Sequence, residues 1–167
     1  MKLFLSRVAV LVSVLYTLNS CTADASAPAT PTTVSQTAVP YPYTTFENET
    51  LTLINNYRLS IGLNALAKSD YISYKAEEHN NYMIANNVVN HNDFVARSEV
   101  IMKTLGAKYV TENVAYNYNT PQAVLDAWLA SEGHKANLEG NYTHFGLSVR
   151  ENPTTGKKYY TNIFAKI

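Results

Sequence analysis

The side chains best suited to chemistry are the four histidines, His79, His91, His134 and His144, together with Glu112 and Glu132. Two imidazoles and a carboxylate can hold a divalent transition metal with one position open to a ligand. The same groups can instead pair with one another through hydrogen bonds, and spacing alone leaves both readings open. Other chemistries lack their signals. No two histidines sit one helical turn apart around a glutamate, as a zinc protease helix requires. There is no Gly-x-Ser-x-Gly elbow to expose a nucleophilic serine, and no glycine-rich loop to cradle phosphate. The lone cysteine, Cys21, excludes an internal disulfide and a multi-cysteine metal site.

These groups need elements to carry them. Thr44 and Glu47 have the spacing of a capping box, and a helix follows with Leu51, Ile54, Tyr57 and Arg58 near one face, stopped by Gly62. Ser69 or Asp70 caps a second helix. Its stripe of Ile72, Ala76, His79 and Met83 makes His79 a helix residue satisfied by a hydrogen bond. Asn86, Asn87 and Asn90 break that pattern and leave His91 in a loop. A shorter helix runs from near Ser98 to Leu105 and ends at Gly106. Residues 109–116, which carry Glu112, read as loop or short strand. Thr120-Pro121 starts a helix with Val124, Leu125, Trp128 and Leu129 on its buried side. Ser131 caps a short helix bearing His134. The period then changes to two: Phe145, Leu147 and Val149 alternate, Asn152-Pro153 and Gly156 mark a turn, and residues 159–165 form a second strand, antiparallel to the first. Arg58 and Arg97 read as salt-bridging or loop-bracing groups, Trp128 as core, and Asn113 and Asn137 as loop braces.

The beginning of the chain reads as an address. Lys2 and Arg7 precede an apolar run from Val8 to Leu18 that is too short for a permanent membrane span. It ends in Leu18-Asn19-Ser20-Cys21, similar to a bacterial lipobox, which implies cleavage before Cys21, lipidation of its thiol and a membrane partner through that anchor. Residues 1–20 are then a lipoprotein signal peptide and 21–43 a Pro-, Thr- and Ala-rich tether. Residues 44–167 form one domain. The 167-residue chain balances 13 basic against 13 acidic residues, and removing Lys2 and Arg7 leaves it at net −2. A phosphate backbone is therefore a poor partner, and no nucleic-acid role is expected. Thirteen tyrosines against five phenylalanines suit a wet groove as well as a core edge.

The order of these segments resembles one family. His91, then Thr111-Glu112-Asn113-Val114-Ala115, then Ala127 through Leu138 (AWLASEGHKANL), then Phe145-Gly146-Leu147-Ser148-Val149 is similar to the CAP superfamily of cysteine-rich secretory, antigen 5 and plant pathogenesis-related class 1 proteins, in its small bacterial branch. The resemblance implies an α+β fold, an α-β-α sandwich with a small central antiparallel sheet and a surface cleft. It places His91, Glu112 and His134 in that cleft, with Glu132 beside them where the bacterial segment has proline. Thr111 stands where the family motif has glycine, and His144 is not in register with the eukaryotic cleft histidine. His91 and His134 are the implied metal ligands, for a divalent ion such as zinc. The expected role is an extracytoplasmic domain, held at an outer membrane or cell surface, that binds a small-molecule, lipid or protein ligand. A His- or metal-assisted hydrolase and a structural or adhesive domain are the alternatives.

Overall fold

The computed structural model describes residues 40–167. The apolar leader, Cys21 and the tether up to residue 39 lie outside the described residues. Among the described residues, no helix is long and apolar enough to cross a membrane.

The elements run α1 (Thr45–Ser60), β1 (Ala67–Lys68), α2 (Asp70–Asn86), α3 (Phe94–Leu105), β2 (Tyr109–Tyr116), α4 (Pro121–Ala130), α5 (Glu132–Leu138), β3 (His144–Glu151) and β4 (Lys158–Lys166). The capping box is formed: Glu47 N–H donates to Thr44 Oγ1 at 3.1 Å and Thr44 N–H to Glu47 Oε2 at 2.8 Å. Ser69 and Thr120 cap α2 and α4 through their hydroxyls. The helix expected from Ser98 begins four residues earlier, at Phe94. Its N-cap, Asp93, has φ 55° and makes no side-chain cap bond, so no residue pattern announces the start.

The sheet has the order β1-β3-β4-β2. The three long strands are antiparallel, with Glu112 opposite Ile163 and Ile163 opposite Gly146. The two-residue β1 adds a parallel edge that the sequence does not suggest. Side-chain alternation along these strands defines two faces. Val110, Glu112, Val114, Ile163, Ala165 and Gly146 face α2 and α3, where Ile72, Ala76, Ile101 and Met83 complete the packing. Thr111, Asn113, Ala115, Phe145, Leu147 and Phe164 face α1, α4 and α5, around the larger core of Leu51, Ile54, Leu125 and Trp128. Helices therefore cover the sheet on both sides, as the α-β-α expectation requires. Double coverage also explains why Gly146 and Ser148 are as buried as Phe145 and Leu147. A Cβ at Gly146 would lie 2.4 Å from the Ser73 backbone nitrogen, so only glycine lets α2 approach β3 this closely.

The chain is already packed before α1 begins. Tyr41 is buried, and its hydroxyl donates to Glu47 Oε1 and accepts from Arg150 Nη2. The last tether residues of the sequence reading thus lie against the domain.

Candidate functional site

β2 is an edge strand, and two neighbouring residues on it face opposite layers. Glu112 points to the α2/α3 side, set between the apolar contacts of Val110 and Val114. Asn113 points to the α5 side. Through this pair β2 engages Arg97 and His91 on one side of the sheet and α5 on the other.

On the first side, the Glu112 carboxylate is 1% exposed and fully engaged. Arg97 on α3 grips it with Nε on Oε2 at 2.8 Å and Nη2 on Oε1 at 2.9 Å. His91, in the α2–α3 loop, places Nδ1 2.9 Å from Oε1. An ionised carboxylate only accepts, so Nδ1 carries the hydrogen. Its Nε2 has no protein partner among the described residues. The imidazole is half-exposed, at 48%. His79, on the buried face of α2, donates Nε2–H to Asn90 O at 2.8 Å and lies 3.8 Å from Glu112 Oε1. Burial holds the His79 imidazole below its ordinary pKa, against the opposing pull of Glu112.

On the second side, Asn113 Nδ2 donates to the His134 carbonyl at 3.0 Å, and Asn137 Nδ2 donates to Asn113 Oδ1 at 2.8 Å and to Glu112 O at 3.2 Å. Trp128 Nε1 donates to Val114 O at 3.1 Å. These side chains occupy carbonyls on the outer edge of β2 that would otherwise invite another strand. The far end of α5 is held by the fully buried Arg58, whose Nη1 donates to the carbonyls of Leu138 and Gly140. His134 is half-buried. Burial, and then the charge of nearby His91, hold its pKa below the ordinary imidazole value.

The structure thus brings His91 and Glu112 into direct contact and sets His134 within electrostatic reach of His91. Glu132 is exposed in the first turn of α5 and makes no ion pair among the described residues. His144 lies at the start of β3, two strands from β2, with Nδ1 2.9 Å from Thr143 Oγ1. His79 and Arg97 play the parts read for them, a hydrogen-bonded helix residue and a salt-bridging, loop-bracing group; sequence reading did not show that both converge on Glu112. The available signals were a histidine on a buried stripe, which needs a polar partner, and an arginine in the first turn of the helix after His91.

The donor set limits what the cleft can hold. Among the described residues, no three His, Cys, Asp or Glu side chains form a metal-holding group. Glu112 has its oxygens committed to Arg97 and His91. The imidazoles of His91 and His134 remain. On the His91 side, His91, Phe94, Val95 and Glu99 line a hollow of about 530 Å³, which His134 does not line.

Residues 51–164 match the cysteine-rich secretory protein family, CAP. The chain belongs to this family. It is 35% identical over 132 residues to the uncharacterized membrane protein YlbC of Bacillus subtilis, covering 74% of this chain and 35% of that protein. It is 34% identical over 133 residues to the uncharacterized protein YkwD of the same bacterium, covering 77% and 51%. The chain spans about half the length, or less, of these relatives. Among solved structures, an outer surface protein of Borrelia burgdorferi aligns with a TM-score of 0.64 at 22% identity, covering 71% of this chain and 90% of that one. That likeness is one of fold. An extracellular protein containing an SCP domain from Bacillus anthracis aligns with a TM-score of 0.62 at 27% identity, covering 72% and 40%. The polar residues from His79 to Asn137 described above all lie within the part of the chain matched to the CAP family.

Proposed function

We propose that this CAP domain is an extracytoplasmic binding module, anchored through a lipidated Cys21 at an outer membrane or cell surface, whose cleft takes a ligand through His91 and His134. The observation that carries this reading is the His91–Glu112 contact at 2.9 Å, which orients a half-exposed imidazole and leaves its Nε2 without a protein partner among the described residues. The lipobox-like Leu18-Asn19-Ser20-Cys21 and the likeness to an extracellular protein containing an SCP domain support the location. No reaction is assigned to the cleft.

Two neutral imidazoles suit a borderline transition cation such as zinc, while calcium and magnesium want oxygen ligands. His91 and His134 would hold such an ion, which would supply a Lewis-acidic position for an anionic or carbonyl group of the ligand. Glu112 would stay with Arg97. Calorimetric titration of the full chain with zinc chloride is expected to show one site at pH 7.5, weakened at pH 5 as the imidazoles take up protons. His91→Ala and His134→Ala should each abolish it, and calcium chloride should give no heat of binding. Zinc binding that survives both substitutions would remove this pair as the site.

A further inference from the structure

We infer that residues 40–43 are a strap that holds the open edge of the sheet closed. β1 covers only the start of β3, pairing with His144 and Phe145. From residue 146 onward β3 has no strand on that side among the described residues. Outward amides on such an edge invite another chain to pair. Two side chains take them instead. Ser73 Oγ accepts from the Leu147 N–H at 3.2 Å, and Glu47 Oε1 accepts from the Val149 N–H at 2.7 Å. Ser73 comes from α2 and Glu47 from α1, one from each helical layer. Each is held in turn by a tyrosine ahead of α1. Tyr43 and Ser73 share a hydroxyl–hydroxyl bond of 2.8 Å, and Tyr41 donates to Glu47 Oε1 at 3.1 Å.

The strap is seated by its rings as well as its hydroxyls. The Tyr41 ring meets Tyr43 and Tyr74 edge-on, with centroids 4.7 and 5.0 Å apart. The Arg150 guanidinium lies over the same ring at 5.5 Å and donates Nη2–H to its hydroxyl at 2.7 Å. Lys68 Nζ sits 4.6 Å from the centre of the Tyr43 ring, and the Tyr74 hydroxyl donates to the Pro40 carbonyl at 3.3 Å. Four residues that composition assigns to the tether are thus held by α1, α2, β1 and β3. The two edge amides differ in how far they depend on the strap. Glu47 is also gripped by the Thr44 N–H and by Arg150 Nη1, whereas Tyr43 is the one side chain bonded to the Ser73 hydroxyl among the described residues. A cut within residues 40–43, or a pull from the chain before them, therefore acts on the sheet edge, and on Leu147 most. The strap is independent of what the cleft binds, because β2 forms the opposite edge.

The test follows single amides of the full chain by hydrogen exchange, read by nuclear magnetic resonance at neutral pH. Tyr43→Phe and Tyr41→Phe each keep the ring and remove one hydroxyl. Tyr43→Phe is expected to speed exchange of the Leu147 amide about 3–10-fold, the scale of one ordinary hydrogen bond, and to leave Val149 at the wild-type rate. Tyr41→Phe should speed Val149 by a smaller factor, about 2–3-fold, because Thr44 and Arg150 still hold Glu47, and should leave Leu147 alone. Tyr41→Ala/Tyr43→Ala lifts the strap and should speed both amides further. The amides of β4 that pair with β2 report opening of the whole sheet, and they are expected to keep their wild-type rates in both phenylalanine variants. Leu147 exchanging at the wild-type rate in Tyr43→Phe would overturn the strap. So would a rise shared equally by the β4 amides, which marks loss of global stability and no local lock. The phenylalanine pair decides the matter by its crossed effects even if the alanine variant does not fold.

Discussion

His79 shows how a residue that reads as ordinary helix packing comes to affect the whole site. It is buried on α2, neutral, and bonded to the loop that carries His91. Its pKa is lowered chiefly by burial. The sign of the consequence follows from linkage. Below the ordinary imidazole value of about 6.5, the unfolded chain protonates this histidine before the folded one does. Stability is thus fully present above that value and is lost as pH falls toward the lower folded pKa. His134, also lowered, adds in the same direction. Thermal melts between pH 7.5 and pH 5 should show a falling midpoint in wild type and a shallower fall in His79→Gln. Parallel curves for the two would mean that His79 does not contribute. At this scale the sequence revealed the residue types but not their pairings. His91 and Glu112 were placed in the cleft by resemblance. The Arg97 grip was not legible, because α3 starts without a side-chain cap and its first turn could not be placed against β2.

The elements were more legible, because each carried its own signal. The capping box at Thr44–Glu47, Pro121 after Thr120 and the alternation from Phe145 to Val149 gave α1, α4 and β3 close to where they lie. β2 was ambiguous for a physical reason. It is an edge strand whose residues serve both layers, so Glu112 and Asn113 are buried polar groups instead of an apolar alternation. Trp128 was legible as core but not as the partner of that edge. Its indole N–H closes Val114 O, and its ring is 1% exposed in the main cluster. Trp128→Phe keeps much of the ring and removes the donor. It should cost about 1–3 kcal/mol, the usual penalty for a buried carbonyl left without its partner, read from urea melts. Trp128→Ala adds a cavity and should cost about 3–5 kcal/mol. Equal stability of the phenylalanine variant and wild type would show that the Val114 carbonyl does not depend on the indole.

At the scale of the molecule, the order of helices first and strands last pointed to helices packed on an antiparallel sheet, and the family resemblance supplied the third layer. The folded boundary was harder to read. Composition alone marks residues 21–43 as tether, whereas Tyr41 enters a buried cluster with Glu47 and Arg150 that only tertiary contact creates. The proposed cleft is likewise a property of the whole. The α2–α3 loop and α5 belong to opposite layers and are each tied to β2, the edge strand between them. His91 and His134, one from each layer, are proposed to make one site. That claim is tested most directly by anomalous diffraction from crystals of the protein soaked in a low concentration of zinc. One strong peak is expected within bonding distance of His91 Nε2 and of a His134 nitrogen, with Glu112 still paired to Arg97. A peak that draws Glu112 away from Arg97, or zinc bound only elsewhere while this cleft stays empty, would contradict it.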